Sequence, residues 1–149
     1  MVLGIVVWVL TLGGVGAWLT KLGPWYYALR QPTWKPSDLW FGPVWTTIFV
    51  LAGVAWWLAW GRAVTPADRA LIVTAYLVNG LLNAGWSYLF FYRQRPDWGL
   101  LEVPFLWLSI VGLIVVVGRL SPLGGWLLVP YLVWVSFASV LNRAIVRLN

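Results

Sequence analysis

The chain has 149 residues, of which 62% are hydrophobic and only 9% charged, with a formal charge of +6 and a mean hydropathy of +0.84. A soluble domain carries roughly 25% charged residues, so this is an integral membrane protein. Cysteine and histidine are absent, which excludes disulfides, thiol chemistry, iron–sulfur clusters and the commonest metal ligand. The ten basic residues are dispersed over several loops. That dispersal suits anionic lipid head groups or an anionic ligand, whereas nucleic acid asks for a dense basic face.

Five apolar segments are long enough to cross a bilayer, which takes about 20 helical residues. Span I is predicted over Val2–Thr20 without a charge, and it is read as retained because no basic leader or cleavage pattern marks its start. It contains Gly13-Gly14-Val15-Gly16-Ala17, a run of small residues that lets helices approach.

Between spans I and II lies a long connection, Gly23–Trp45. Pro24, Pro32, Pro36 and Pro43 prevent one continuous helix there. Its Trp and Tyr rings alternate with Arg30 and Lys35, so the segment is expected to lie against something rather than to be solvated. Long ordered loops of this kind tend to be functional.

Span II is predicted over Gly42–Trp60 and span III over Ala67–Phe91, with Thr65 as N-cap and Pro66 at the first helical position. Gly80 and Ala84 form a small-xxx-small pair on span III, which packs either within the chain or at a dimer seam. A short turn, Arg93–Asp97, leads into span IV at Trp98–Gly118, with Asp97 as candidate N-cap. Span V is predicted over Leu123–Ile145. The expected fold is therefore an all-α bundle of five transmembrane helices in one domain over residues 1–149, with an ordered loop between helices I and II. Lys and Arg number seven on the face holding the long loop and the C-terminus, against three on the other. That bias predicts a cytoplasmic C-terminus.

Fourteen tryptophans call for sorting. Trp8, Trp18, Trp56, Trp57, Trp60 and Trp126 are assigned to interfacial belts or lipid-facing packing. Trp45, Trp86, Trp98 and Trp134 are the better site candidates. One helical turn separates Trp45 from Phe49, Trp98 from Glu102 and Trp134 from Ala138. Apart from Asp68 in the first turn of span III, Glu102 is the one acidic residue inside a span, and it either snorkels to the interface or serves a polar or proton-linked cavity. Asn79, Asn83, Ser87, Ser109, Ser136, Ser139 and Asn142 are expected to face the bundle interior. Arg30, Lys35, Arg93 and Arg95 cluster on one face, where they meet anionic lipid or clamp the carboxylates of a flat ligand. No catalytic constellation, metal-ligand spacing or phosphate loop is visible.

Three motifs occur in order: Trp25-Tyr26-x-x-Leu29-x-x-Pro32-x-Trp34-x-Pro36 with Trp45; Leu82-Asn83-x-x-Trp86-x-x-x-Phe90-Phe91 followed by Trp98-x-x-x-Glu102; and Pro130-Tyr131-Leu132-x-Trp134-x-x-Phe137-Ala138-Ser139-x-Leu141-Asn142. Together they resemble the TspO/MBR family of tryptophan-rich sensory and translocator proteins. The resemblance implies a usually dimeric five-helix bundle in a bacterial cell membrane, whose cavity is roofed by the first loop. It implies porphyrins, notably protoporphyrin IX, as ligands, and no bound cofactor or metal. By matching positions, the implied site is Trp45, Phe49, Asn83, Trp86, Trp98, Glu102, Trp134 and Ala138, with Trp34 in the roof. Trp45 and Trp134 match tryptophans implicated in light-dependent porphyrin degradation, and porphyrin transport is a further alternative. The chain departs from the family pattern at Ser37, where proline is usual, at Asp38, where Arg is common, and at Phe49, which is often Tyr. After Leu141-Asn142 comes Arg143, not the Tyr of the animal sterol motif, so no tight cholesterol site is expected there.

Overall fold

A computed structural model describes residues 1–149. The chain forms helices α1 (Val2–Leu19), α2 (Pro24–Ala28), α3 (Phe41–Trp60), α4 (Pro66–Ser87), α5 (Pro96–Leu120), α6 (Pro122–Leu127) and α7 (Val129–Leu148). A 3₁₀ turn at Asp38–Trp40 leads into α3, and a π-helical turn at Tyr88–Tyr92 extends α4. Five of these stretches are long and apolar enough to span a membrane. The chain is a five-span helical bundle.

Helix boundaries follow local chemistry. Thr65 caps α4, its Oγ1 accepting the Asp68 N–H at 3.0 Å, with Pro66 in the first turn. Asp97 is not the N-cap of α5: Arg95 holds that position, Pro96 follows, and Asp97 sits in the first turn paired with Arg95. Gln94, in the left-handed region at φ 55°, turns the chain between α4 and α5. Span V is broken rather than continuous. Ser121 caps the short α6 through the Gly124 N–H at 3.1 Å, and α7 restarts after Leu128 with Pro130 in its first turn.

The core is aromatic at its centre. Trp8 is only 7% exposed. Its indole N–H donates to the Tyr76 carbonyl at 3.0 Å, and its ring meets Tyr76 edge-on at 5.1 Å and Phe49 at 6.1 Å. Trp56 stacks on Tyr76 at 4.4 Å, while the Tyr76 hydroxyl donates to the Ala52 carbonyl at 2.8 Å. The lipid-facing or belt assignment is therefore wrong for Trp8 and Trp56. In a bilayer, ring packing and interhelical hydrogen bonds drive association, because lipid is as apolar as the core. Trp18, Trp57 and Trp126 remain exposed, as belt residues should.

Glycines decide where α1 touches its neighbours. A Cβ on Gly53 would lie 3.0 Å from Val9 Cγ2, and one on Gly80 would lie 3.1 Å from Trp8 Nε1. Gly80 thus receives α1 of its own chain, which fills the face that a dimer seam at Gly80 would need. A Cβ at Gly13, Gly14 or Gly16 would meet nothing within 4 Å. The first helix is thus packed closely at the Ile5–Leu12 level, whereas further along its glycine positions face open space even though Leu19 stays buried and Trp18 meets Tyr92 at 5.8 Å.

The long connection is ordered by its own polar knot. The Tyr26 hydroxyl donates to Asp38 Oδ1 at 2.9 Å, and the Lys35 ammonium pairs with the same carboxylate. Burial and then the Asp38 contact raise the Tyr26 phenol well above its ordinary range. Asn149 holds the loop from the other end of the chain, accepting the Arg30 N–H at 2.9 Å and donating to the Arg30 carbonyl at 3.0 Å. Tyr26 also packs with Phe90, Leu141 and Ile145. Loop, α4 end and C-terminus therefore share one face of the bundle.

Candidate ligand cavity

Beside the glycines of α1 a cavity of about 580 Å³ opens, lined by no residue between Lys21 and Trp40. This lies within the ~300–1,000 Å³ typical of small-molecule sites. One wall is the small-residue run of α1, from Val9 to Thr20. The start of α3 supplies Phe41, Trp45, Thr46 and Phe49. Helix α4 and its π turn supply Asn83, Trp86, Ser87 and Phe91, and α7 supplies Trp134 and Ala138. Leu10, Gly13, Gly14, Thr46 and Val50 are exposed as well as cavity-lining, so the cavity opens sideways between α1 and α3.

Six of the sequence-predicted residues thus come together: Trp45, Phe49, Asn83, Trp86, Trp134 and Ala138. Trp45 stacks on Phe49 at 5.3 Å and meets Tyr131 edge-on at 6.0 Å. The Trp86 N–H donates to Asn142 Oδ1 at 3.2 Å, and Asn142 in turn donates to the Pro96 carbonyl at 2.8 Å. Trp134 lies against Phe41 and Phe137, each at 5.4 Å. Its indole nitrogen is buried with no hydrogen-bond partner. The Trp56 indole nitrogen, away from the cavity wall, is buried and unpaired in the same way, so an unpaired N–H does not by itself mark a ligand here.

The other three lie elsewhere. Trp34, 49% exposed, packs edge-on against Phe137 at 5.9 Å, one ring removed from Trp134. Trp98 is 45% exposed and lies under the Arg95 guanidinium at 4.6 Å, away from the cavity wall. Glu102, on the same helix, also lies off the wall. Both its carboxylate oxygens are buried without a partner, so it does not snorkel to water. Helix α5 contributes nothing to the lining, and α1 takes its place.

Two features escaped the sequence reading. The first is the cavity role of the α1 glycines, since small-residue runs signal packing as readily as open space. The second is a buried polar chain behind the wall. Asn83 Nδ2 donates to the Tyr131 hydroxyl at 2.9 Å, Tyr131 donates to Asn79 Oδ1 at 3.1 Å, and Asn79 Nδ2 donates to Ser109 Oγ at 2.9 Å. The in-span Asn and Ser residues announced such a chain, but Tyr131 as its hub was not foreseen. The cationic rim also differs from the expected clamp. Lys35 is bound to Asp38 and Arg95 to Asp97, so of the four residues expected to form that clamp only Arg30 and Arg93 lack a carboxylate.

Comparison with known proteins matches residues 4–148 to the TspO/MBR family model. The chain belongs to the TspO/MBR family. It is 40% identical to the tryptophan-rich protein TspO of Chlorobaculum tepidum over 142 residues, covering 94% of this chain and 90% of the relative. It is 34% identical to the TspO of Archaeoglobus fulgidus, covering 95% and 92%. The human translocator protein is 30% identical over 126 residues, covering 84% of this chain and 75% of that one. This TspO/MBR chain is thus an integral, multi-pass membrane protein.

Proposed function

We propose that this protein binds a porphyrin, with protoporphyrin IX as the ligand, in the aromatic cavity beside α1, and that it serves tetrapyrrole sensing or handling in the membrane. The observation that carries this reading is the convergence of Trp45, Phe49, Trp86, Phe91 and Trp134 on one largely apolar cavity. A large flat π system with polar edge groups stacks on Trp45 and Trp134 and offers an acceptor to the Trp134 N–H. Of the expected basic clamp, Arg30 and Arg93 remain free of a carboxylate, and exposed Lys21 follows the cavity-lining Thr20, so cations are available for its carboxylates. Without His or Cys in the chain, metal-free porphyrin is favoured over ligated haem. Titration of the purified protein with protoporphyrin IX should quench tryptophan fluorescence to saturation. Non-saturating quenching, indistinguishable from partition into protein-free detergent, refutes the assignment.

Placement of Trp45 and Trp134 in one cavity favours a second reading, light-driven oxidation of the bound porphyrin with dioxygen as the electron acceptor. Illumination of the complex in air would then yield a product absent in the dark, under argon, and with both tryptophans changed. We also propose a homodimer in the cell membrane with the C-terminus and loop cytoplasmic. Reporter fusions at the two ends test the orientation, and an extracytoplasmic C-terminus overturns it.

A further inference from the structure

On the far side of the bundle from the porphyrin cavity, α5 and α7 leave a second cleft of about 510 Å³. Its walls are Val103, Pro104 and Leu108 from α5 and Val140 from α7. Its deep end is fixed by Trp107, whose indole N–H donates to Ser136 Oγ at 2.8 Å. Arg143 stands at its other end. That end is a membrane surface, because the neighbouring Asn142 bonds the Pro96 carbonyl at the start of α5.

We infer that this cleft is a binding site for one anionic glycerophospholipid, with its phosphate on Arg143 and one acyl chain along the α5–α7 groove. Three observations converge on that occupant. From Leu100 to Leu108 the cleft runs about 12 Å along α5 at 1.5 Å per residue, close to the ~15 Å half-thickness of a hydrocarbon core. The groove thus matches one leaflet's acyl chain and no more. Arg143 is exposed and joins neither of the two ion pairs, so its guanidinium is free for a phosphate fork. No carboxylate competes at the mouth: Asp38 and Asp97 are paired, Asp68 takes the Thr65 hydroxyl, and the Glu102 oxygens are buried. Bilayer lipid is always present at this surface, and a basic residue there favours the anionic species. The site shares no lining residue with the porphyrin cavity, so it stands whether or not that reading does.

The test is native mass spectrometry of the full chain released from detergent. The detergent carries equal amounts of phosphatidylglycerol and phosphatidylcholine with the same acyl chains. One phosphatidylglycerol should be retained per chain, favoured about fivefold over phosphatidylcholine. Arg143→Gln should erase that preference, whereas Arg119→Gln, at the opposite end of α5, should keep it. Val140→Trp, on the exposed side of α7, should fill the groove and lower retention of either lipid. Circular dichroism checks that each variant is folded. The inference is overturned by open-ended, unsaturable lipid adducts, by a preference that survives Arg143→Gln, or by unchanged retention in Val140→Trp. Displacement of the retained lipid by equimolar cholesterol, insensitive to Arg143→Gln, also overturns it.

Discussion

Replacing Trp134 with Phe separates stability from binding. In the free protein the Trp134 N–H is buried and unpaired, a state that costs about 1–3 kcal/mol. Phe removes that donor and with it the penalty. The smaller ring keeps its contacts with Phe41 and Phe137 but packs less well, a loss of about 1 kcal/mol. The two changes oppose each other, so the thermal midpoint should stay close to wild type or rise. Binding should move the other way. A hydrogen bond from the indole to a neutral acceptor contributes about 0.5–1.5 kcal/mol, and to a charged one about 1.5–3 kcal/mol. Protoporphyrin affinity should therefore fall about tenfold, since 1.4 kcal/mol is one decade. Fluorescence titration and a thermal melt in the same detergent measure both quantities, with exposed Trp126→Phe as the silent control. The reasoning is wrong if Trp134→Phe binds as wild type does while melting well below it. Such a result would make Trp134 a packing residue whose N–H has no ligand.

Two glycine changes should behave oppositely. Gly53→Leu meets Val9 and Ile5 at 3.0 and 3.2 Å and should destabilise the fold by about 1–3 kcal/mol, whereas Gly13→Leu faces open space and should preserve the melt while obstructing porphyrin binding. The loop knot should loosen at high pH. The folded-state value of Tyr26 lies above its unfolded value of about 10, so its contribution is fully present below pH 10 and is lost as pH climbs beyond it. Protease cleavage within residues 23–40 should accordingly rise above pH 10, and Tyr26→Phe should flatten that rise. Saturating porphyrin at 100 times its Kd should add about 2.7 kcal/mol to the folded state and slow that same cleavage; equal cleavage with and without ligand argues against binding to the folded state.

The five spans were legible because uninterrupted apolar length is a strong signal, and Thr65-Pro66 announced its own helix start. Where the signal was local, it gave way to packing. Asp97 has the side chain of a cap, but Pro96 had already set the first turn, so its carboxylate turned to Arg95. Span V carried enough hydropathy to cross unbroken, yet Ser121-Pro122 and Pro130 each start a helix, and the chain breaks at Leu128 between them. Trp8 was misplaced because a tryptophan in an uncharged span looks the same from sequence whether it faces lipid or a neighbouring helix. Only the third dimension brings the Tyr76 carbonyl to its N–H. Trp98 fell outside the cavity for a related reason, as motif position fixes the helix on which a ring sits but not which side of that helix is lined.

The small-residue run of α1 and the pair on α4 show why composition alone left the cavity half-drawn. Both read as places for close approach. Gly80 is one, and the ring of Trp8 occupies the room it leaves. Gly13, Gly14 and Gly16 are equally small, but the Val9–Gly53 clamp holds only the first half of α1 to α3, so the same smallness becomes empty volume further along. The long loop is held together by Tyr26, Lys35 and Asp38, and its residues from Lys21 to Trp40 stay off the cavity lining. Asp38 is the residue on which that knot turns. Its carboxylate takes the Tyr26 hydroxyl and the Lys35 ammonium together, so the Lys35 charge that was expected to reach a ligand holds the loop instead.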